Sequence, residues 1–391
     1  MTEAKRGNGT ELGKRLYDMF RSDRERPAGN TAGKDLLGEL AVTGGVTHEE
    51  ALLLLASPED IEELVRKKEV SGKDQSSLQR LLQWSDEKRN LKVLMQANSS
   101  EQAAVGMRRG AQGIGLMRGE AILYTNSRLK KIYHDWLESQ DEMDKQHYRF
   151  RLISLWTEEW VSVLQAANGA LCSISLVWDT AATCSPQARH DIQDIQLESL
   201  YRAVFRCHEE GLECRLELLA LWPQDSADFT EAQDFIEEVG KQTLSYLKTS
   251  VNLKIGALLH PEIDPKDAAD IARLADVIVM DTESADKLHF LDEGRSIRTA
   301  RNRIELDEPI TEWASPDLLQ SNLEETVLRI WQVKPHIAIR VSREVTVSDL
   351  RTVYRLGISE VCCEVSSLAA VRLAGMRLEW MLSRLPTAGE A

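Results

Sequence analysis

An arginine and a glutamate stand at the end of an apolar run in the first third of the chain. The run 113–117 is followed by Arg118, Gly119 and Glu120, and glycines before it suit a tight turn into a strand. In a parallel α/β fold, side chains at this end of a strand face the mouth where ligands bind. An arginine there can hold a phosphate or carboxylate through two hydrogen bonds. Arg118 and Glu120 are therefore candidate ligand-binding residues, and a structural ion pair is the alternative.

Side chains that could bind a metal ion stand at the ends of two later apolar runs. His260 follows the run 253–259, and Asp281 and Glu283 stand at the end of the run 277–281. Imidazole and carboxylate groups together suit a transition metal. These three residues are candidate metal ligands. The alternative is that these polar side chains pair with one another at a mouth that no longer binds a ligand.

Eight short apolar runs alternate with helical patterns from residue 91 onward. This alternation is typical of a TIM (β/α)8 barrel, an α/β fold with eight parallel strands inside a ring of helices. A last helix at about 366–384 is expected to close the ring, and the charged segment 283–320 is expected on the mouth side. The strands are predicted at 92–97, 113–117, 172–177, 214–221, 253–259, 277–281, 336–341 and 358–363, and the helices include 101–109, 128–138, 157–167, 194–210, 230–247, 266–274, 322–332 and 347–356.

The stretch 110–120, GAQGIGLMRGE, resembles the GAxGIGLxRTE signature of the PEP-utilising enzymes, the family of pyruvate phosphate dikinase, PEP synthase and enzyme I of the sugar phosphotransferase system. The segments LLQWSDE at 81–87 and LKVLMQAN at 91–98 resemble the start of the C-terminal barrel in that family. The resemblance covers about residues 80–380. It implies a TIM barrel of the PEP/pyruvate-binding type with an N-terminal helical extension.

Three segments are predicted along the chain. Residues 1–34 form a polar, flexible N-terminal arm, residues 35–80 a helical extension, and residues 81–391 the barrel. In the extension, Pro58 suits the first position of a helix. The family resemblance places a mobile phosphohistidine domain between the extension and the barrel, and no TSHAA-like histidine motif occurs there.

Most positions that carry the chemistry of the family hold other residues in this chain. The resemblance implies that PEP or pyruvate binds with Mg²⁺ at the mouth, held by arginines and by carboxylate metal ligands, with a cysteine as proton donor to the enolate. Arg118 and Glu120 are retained, while Gly119 replaces a threonine. The other substitutions are Ser175 for a substrate-binding arginine, His260 for a metal-binding glutamate, Glu283-Ser284 for an Asn-Asp pair, and Arg340 for the cysteine.

These substitutions predict a catalytically degenerate barrel that acts as a binding, regulatory or scaffolding subunit rather than as an enzyme. No catalytic residue, metal or cofactor is assigned, and Arg118, Glu120 and Arg340 are the candidates for binding PEP, pyruvate or another small anion. One alternative is an active phosphotransferase subunit of a split dikinase, which would use Mg²⁺. Another is a new metal- or anion-dependent activity at the mouth. The resemblance also implies a homodimer, or another protein partner, bound through the barrel.

The composition limits the classes of partner. The net charge of −15 argues against binding to nucleic acid or to an anionic membrane, since both attract clustered Lys and Arg. No apolar run is long enough to insert into a membrane, and the N-terminus shows no secretory signal. The six cysteines lack the spacing of a metal site. Reduced thiols in a cytoplasmic protein are the expectation.

Overall fold

Eight parallel strands form a closed barrel in the order of the sequence. They belong to a computed structural model that describes residues 53, 58–71, 77–178, 186–247, 253–281, 316–342 and 349–383. The TIM barrel predicted from the alternating pattern is confirmed. The strands are β1 (Lys92–Gln96), β2 (Gly113–Arg118), β3 (Leu171–Ser175), β4 (Arg215–Leu221), β5 (Leu253–Leu259), β6 (Val277–Asp281), β7 (Ala338–Ser342) and β8 (Glu360–Glu364).

Helices precede β1 and follow the strands along the chain. Within the described residues they are α1 (Pro58–Ser71), α2 (Ser77–Lys88), α3 (Ser100–Arg108), α4 (Gly119–Thr125), α5 (Ser127–Glu138), α6 (Glu142–Ala167), α7 (Pro186–Glu209), α8 (Ser226–Leu247), α9 (Pro265–Leu274), α10 (Pro316–Val333), α11 (Leu350–Arg355) and α12 (Leu368–Ser383). None of them combines the length and the apolar character that crossing a membrane would require.

Several helices differ from the sequence prediction, and α7, for example, begins at Pro186 rather than at 194. The short helix α4 was not predicted, and α6 begins at Glu142 rather than at 157. The early start of α6 has a local cause, because the Asp141 carboxylate accepts hydrogen bonds from the backbone N–H groups of Met143 and Asp144. The predicted arm 1–34 and residues 283–315 of the predicted charged segment lie outside the described residues.

The chain divides into two compact units. One comprises residues up to 96, residues 105–113 and residues from 343 on. Within it, β1 and β8 form a parallel ladder. Helix α12 packs against α1 and α2 through a cluster of buried apolar side chains that includes Ile61, Leu81 and Leu373. This cluster holds the described part of the helical extension in place.

A buried carboxylate holds the start of β1 in this first unit. Glu379 of α12 accepts hydrogen bonds from the backbone N–H groups of Asn90 (2.8 Å) and Leu91 (2.9 Å). The Tyr354 hydroxyl donates to the same carboxylate at 2.7 Å. Because these donors satisfy both oxygens, the carboxylate can be buried without an unpaired polar atom.

The second unit comprises residues 97–104 and 114–342 and contains the continuous ladder from β3 to β7. The long helix α6 contributes Trp156 and Trp160 to its core. Both indole rings are fully buried. They stack on each other with their ring centroids 6.2 Å apart and an interplanar angle of 13°. All the side chains of the candidate site described below belong to this unit.

Candidate functional site

An ion pair crosses the mouth formed by the carboxyl ends of the strands. Arg118 is the last residue of β2, and Asp281 is the last residue of β6. The two strands are four steps apart in a ring of eight and therefore lie on opposite sides of it. Arg118 Nη2 lies 2.7 Å from Asp281 Oδ2, and the two side chains are 3% and 0% exposed. The structure thus pairs two predicted site residues with each other.

A tryptophan adds a second hydrogen bond to the same carboxylate. Trp222 follows β4 directly, and its indole Nε1 donates to Asp281 Oδ2 at 3.2 Å. Its φ angle is +49°, which is rare for a bulky side chain and costs about 1–3 kcal/mol. Such strain persists only where the surroundings fix the conformation. Trp222 therefore restrains Asp281 in the position that meets Arg118.

Aromatic rings surround this ion pair at the mouth. The ring of Trp222 lies 5.7 Å from that of Trp178 and 5.4 Å, edge-on, from that of His260. The Arg189 guanidinium lies 5.4 Å from the centre of the Trp178 ring. All three rings are half-buried. The mouth is therefore bounded by aromatic side chains beside the neutralised Arg118–Asp281 pair.

The predicted metal ligands are not brought together as a metal site in the part of the chain that the structure describes. His260 Nδ1 accepts a hydrogen bond from the backbone N–H of Glu262 at 3.2 Å. Asp281 faces Arg118 and Trp222. Glu283 and Ser284 lie outside the described residues. Among those that are described, no group of three or more His, Cys, Asp or Glu side chains could hold a metal ion.

Glu120 lies buried at the start of α4. Its Oε2 accepts a long hydrogen bond of 3.3 Å from the Trp178 backbone N–H, while Oε1 has no hydrogen-bond partner among the described residues. Burial raises the pKa of the Glu120 carboxyl above its ordinary value, and the nearby Arg118 charge only partly opposes this shift. The carboxyl group consequently takes up a proton more readily than an exposed glutamate.

Ser175 ends β3, where the family resemblance implies an arginine. It is fully buried, and its Oγ has no hydrogen-bond partner within the described part of the chain. The amide of Gln196 lies beside it and bridges the backbone: Nε2 donates to the Ser175 carbonyl at 2.9 Å, and Oε1 accepts from the Val177 N–H at 2.7 Å. This buried amide was missed by the sequence analysis, because nothing in helix α7 marks it.

The bridging amide of Gln196 explains the glycine at position 119. A Cβ atom at this position would collide with Gln196 Nε2 and lie 2.9 Å from the Ser175 carbonyl oxygen. No real Cβ approaches other atoms that closely. A threonine at 119, as in the family signature, therefore cannot coexist with this placement of Gln196.

We expect Gly119→Ala to lower the free energy of unfolding by about 1–3 kcal/mol, as overpacking does. The direction of this change in stability is informative, because replacing glycine by alanine at an unhindered helical position raises the free energy of unfolding by up to about 1 kcal/mol. Chemical denaturation measures the change. Gly119→Ala should cost less when it is introduced into Gln196→Ala than into the wild-type protein, because the colliding amide is then absent. A stabilised Gly119→Ala variant would contradict the collision.

A second buried ion pair lies deeper in the barrel. Arg340, the third residue of β7, donates from Nη1 to Glu217 Oε2 of β4 at 3.2 Å. The same nitrogen lies 2.9 Å from Ser173 Oγ and 3.1 Å from the Gly115 carbonyl oxygen. Ser173 Oγ in turn donates to Glu217 Oε2 at 2.6 Å. These groups form a polar layer inside the barrel. The layer joins β7 to β2, β3 and β4, which lie three or four positions away from β7 around the ring.

The position of Arg340 bears on its predicted role. The side chain is 1% exposed and the Glu217 side chain 5%, so both charges are shielded from water. Arg340 stands in the middle of its strand rather than at the carboxyl end. The contacts describe an internal ion pair, and ligand binding by Arg340 stays a prediction. The sequence does contain a signal for Glu217, which is a lone acid in the apolar run 216–221.

Comparisons with known proteins show which family this barrel belongs to. A family model described as "PEP-utilising enzyme, PEP-binding domain" matches residues 72–276, more than half of the chain. The chain belongs to the PEP-utilising enzymes. The match includes β1 to β5 and both Arg118 and Glu120. The resemblance seen in the 110–120 signature is thus confirmed.

The curated relatives within this family are pyruvate, phosphate dikinases. The protein from Giardia intestinalis is 28% identical over 132 residues, 34% of this chain and 15% of that protein. The chloroplastic enzyme 1 of Oryza sativa subsp. japonica is 30% identical over 135 residues, 34% of this chain and 13% of that protein. The Rickettsia prowazekii protein is 20% identical over 239 residues, 50% of this chain and 27% of that protein. The aligned part therefore spans about a quarter or less of each relative.

Among the described residues, the mouth brings together no group of carboxylates that could hold Mg²⁺. That ion prefers several oxygen ligands in octahedral geometry, and its carboxylate ligands must be deprotonated. Of the two family carboxylate positions, His260 presents a ring nitrogen and Ser284 lies outside the described residues. Asp281 is already held by Arg118 and Trp222, and burial raises the pKa of the Glu120 carboxyl, which opposes the deprotonated form that binds a metal ion.

Proposed function

We propose that this PEP-utilising-enzyme barrel is catalytically degenerate and acts as a binding, regulatory or scaffolding subunit. One observation carries the proposal: the arginine that the family uses at this position is neutralised inside the protein. Arg118 forms a 2.7 Å ion pair with Asp281, and both side chains are buried. A substrate anion would have to displace this internal partner.

The cost of that displacement is large compared with the binding energy of a small anion. A buried ion pair that loses one partner is destabilised by about 3–5 kcal/mol, since the remaining charge has no compensation. At about 1.4 kcal/mol per factor of ten, this lowers the affinity for an anion by roughly two to four orders of magnitude. Trp222 adds to the cost, because its hydrogen bond holds Asp281 in place.

The remaining positions support the same proposal. A neutral hydroxyl at Ser175 cannot replace the phosphate-binding charge of an arginine. Arg340 stands where the family resemblance implies a proton-donating cysteine, and a guanidinium is not deprotonated in proteins. Among the described residues, no thiol stands at position 340 and no cluster of metal-binding side chains is present to stabilise and protonate an enolate.

Exchange of the methyl protons of pyruvate with solvent deuterium tests this proposal in the isolated barrel. The exchange requires removal of a methyl proton and stabilisation of the resulting enolate, and it needs no phosphohistidine. We expect no exchange above the buffer rate with Mg²⁺ present, as followed by loss of the methyl signal in NMR spectra. Exchange that depends on Mg²⁺ and is lost in folded Arg118→Ala would overturn the proposal.

An active PEP- or pyruvate-handling subunit of a split dikinase is the second candidate. It is favoured by the retained Arg118 and Glu120 and by two buried oxygen atoms, Glu120 Oε1 and Ser175 Oγ, that have no partner among the described residues. Buried polar atoms without partners are uncommon, and a ligand or water at the mouth could satisfy them. In that case the deuterium exchange occurs, and Mg²⁺ is required.

A protein partner follows from the proposed role. A barrel without turnover acts through what it binds, and the candidates are a second copy of this chain or an active relative joined through the barrel. A new metal-dependent activity at His260, Asp281 and Glu283 is a further alternative. Metal analysis of the purified protein distinguishes it, because a stoichiometric transition metal would favour this alternative over the scaffold.

A further inference from the structure

The first half of helix α6 packs little of its surface into the protein. Residues 142–151, all of which the structure describes, contribute no buried side chain, and the buried face of the helix begins at Leu152. Met143 and Phe150 in this half are 82% and 65% exposed, more than any other large apolar side chain among the described residues. Because a helix is stabilised mainly by the packing of an apolar face, this half of α6 offers a surface for a partner.

The two exposed apolar side chains lie on one stripe of the helix. Met143 and Phe150 are seven residues apart, which is about two turns, so they lie on the same side of α6. His147 and Ser154 fall on that side too, at spacings of three and four residues. Paired helices bring apolar side chains into contact by a repeat of seven residues. This α6 stripe, composed of Met143, His147, Phe150 and Ser154, therefore suits a second helix that lies along it.

A groove lies beside the α6 stripe, between α6 and α7. It has a volume of about 320 Å³, and its lining includes Phe150 and Ile153 of α6 and Phe205 of α7. Ile153 is buried and Phe205 is half-buried, so the groove is apolar at its base. An apolar side chain that projects from a second helix can enter this groove.

Two opposite charges lie along one edge of the α6 stripe. Asp144 and Arg151 are exposed and seven residues apart, so they share an edge of the helix. Roughly 10 Å of helix separates them, which is too far for an ion pair with each other. Neither side chain forms an ion pair with any other residue that the structure describes. Both charges are therefore available to a partner.

We propose that a second copy of this chain binds the α6 stripe, with the two α6 helices antiparallel around a two-fold axis near His147. This axis lies midway between the two charged positions, so Asp144 of each copy faces Arg151 of the other and two ion pairs form at once. The inference rests on the proposed function, which requires a binding partner, and it names that partner and the surface that binds it.

The apolar side chains meet in the same arrangement. Met143 of each copy lies opposite the turn between Phe150 and Ser154 of the other, where it can enter the groove beside α7. One patch thus carries the projecting side chain, the groove that receives it and both signs of charge. A two-fold interface needs such a self-complementary patch, because each copy presents the same residues. This property favours a second copy over a partner of different sequence.

Sedimentation velocity of the full chain between about 1 and 100 μM tests the proposal, because a dissociation constant of micromolar order is expected for an interface of this limited size. We expect a species of twice the chain mass whose share grows with concentration. Phe150→Glu places a charge in the contact and should raise the dissociation constant at least about tenfold. The control Leu328→Glu changes a 50% exposed side chain on α10 and should leave the dissociation constant unchanged.

Charge reversal tests the antiparallel arrangement itself. Asp144→Arg should raise the dissociation constant about tenfold, since two exposed ion pairs become two repulsive contacts. Arg151→Asp should have the same effect. The double variant Asp144→Arg/Arg151→Asp forms both pairs again with the charges exchanged, so its dissociation constant should return to within about threefold of the wild-type value. Circular dichroism establishes that each variant is folded.

A chain that stays monomeric at every concentration overturns the inference. A dimer that Leu328→Glu disrupts and Phe150→Glu does not also overturns it, because another face then forms the contact. A double charge-reversal variant as weak as the single variants overturns the antiparallel arrangement. The deuterium exchange of pyruvate tests the proposed function separately. A monomer without exchange removes this interface and leaves the degenerate barrel, whereas a dimer with Mg²⁺-dependent exchange does the reverse.

Discussion

Replacing Glu217 by alanine should lower the free energy of unfolding by about 3–5 kcal/mol, because the Arg340 guanidinium would lose its buried carboxylate. Arg340 Nη1 lies 3.2 Å from Glu217 Oε2, and neither side chain is more than 5% exposed. Ser173 Oγ would lose its acceptor at the same time. Urea denaturation followed by tryptophan fluorescence measures the loss.

A matched control separates this effect from the simple removal of a surface charge. Glu237 forms an exposed i, i+4 pair with Lys241 at 3.4 Å, so Glu237→Ala should cost no more than about 0.5 kcal/mol. The double variant Glu217→Leu/Arg340→Met should recover much of the loss, since well-packed apolar groups often replace a buried ion pair at little cost. If Glu217→Ala lowers the free energy of unfolding by less than about 1 kcal/mol, then water reaches the Arg340 guanidinium inside the barrel, which would contradict the shielded ion pair.

Replacing Asp281 by alanine should likewise cost about 3–5 kcal/mol, and an anion should then stabilise the variant. The substitution removes the buried carboxylate that pairs with Arg118 and accepts from Trp222 Nε1. It leaves a buried positive charge at the mouth, where phosphate or PEP can bind. Thermal melting with and without inorganic phosphate should show a rise in Tm that is larger for the variant than for the wild-type protein.

Asp281→Asn distinguishes the two roles of this carboxylate. Asparagine keeps an oxygen acceptor for the Trp222 indole but removes the charge that faces Arg118. If the ion pair dominates, Asp281→Asn should be nearly as unstable as Asp281→Ala and should also respond to phosphate. An equal phosphate response in the wild-type protein would contradict the internal neutralisation of Arg118.

The Arg118–Asp281 and Arg340–Glu217 ion pairs have two features in common. Both connect strands on different sides of the ring, and in both a buried arginine is paired with a buried carboxylate. A catalytic mouth keeps charged groups available for a substrate, whereas these groups are already neutralised. The aromatic rings of Trp178, Trp222 and His260 lie beside the Arg118–Asp281 pair.

Much of the fold could be predicted from the sequence, because short continuous apolar runs and helical patterns are both local features. Strands β1 to β8 lie close to their predicted positions. The start of α6 was missed because its first half is mostly polar and depends on the Asp141 cap. The short helix α4 was missed because the strand signature continues directly into it.

The candidate site was predictable in part. Arg118 and Asp281 were identified as strand-end residues, yet 163 positions of sequence separate the two. Pairing among the polar residues of the mouth was one of the two alternatives that the sequence left open, and the closed strand order shows which residues face each other, because β2 and β6 lie on opposite sides of the ring. Trp222 was missed because its role depends on a positive φ angle that a tryptophan rarely adopts.

Isothermal titration of the folded protein with PEP and Mg²⁺ tests the central claim most directly, with Arg118→Ala and Asp281→Ala titrated in parallel. With Arg118 neutralised by Asp281, we predict no saturable heat for the wild-type protein or for Arg118→Ala, and measurable binding only where Asp281 is removed. Saturable heat in the wild-type protein that disappears in folded Arg118→Ala would contradict the account and favour an active PEP-handling barrel.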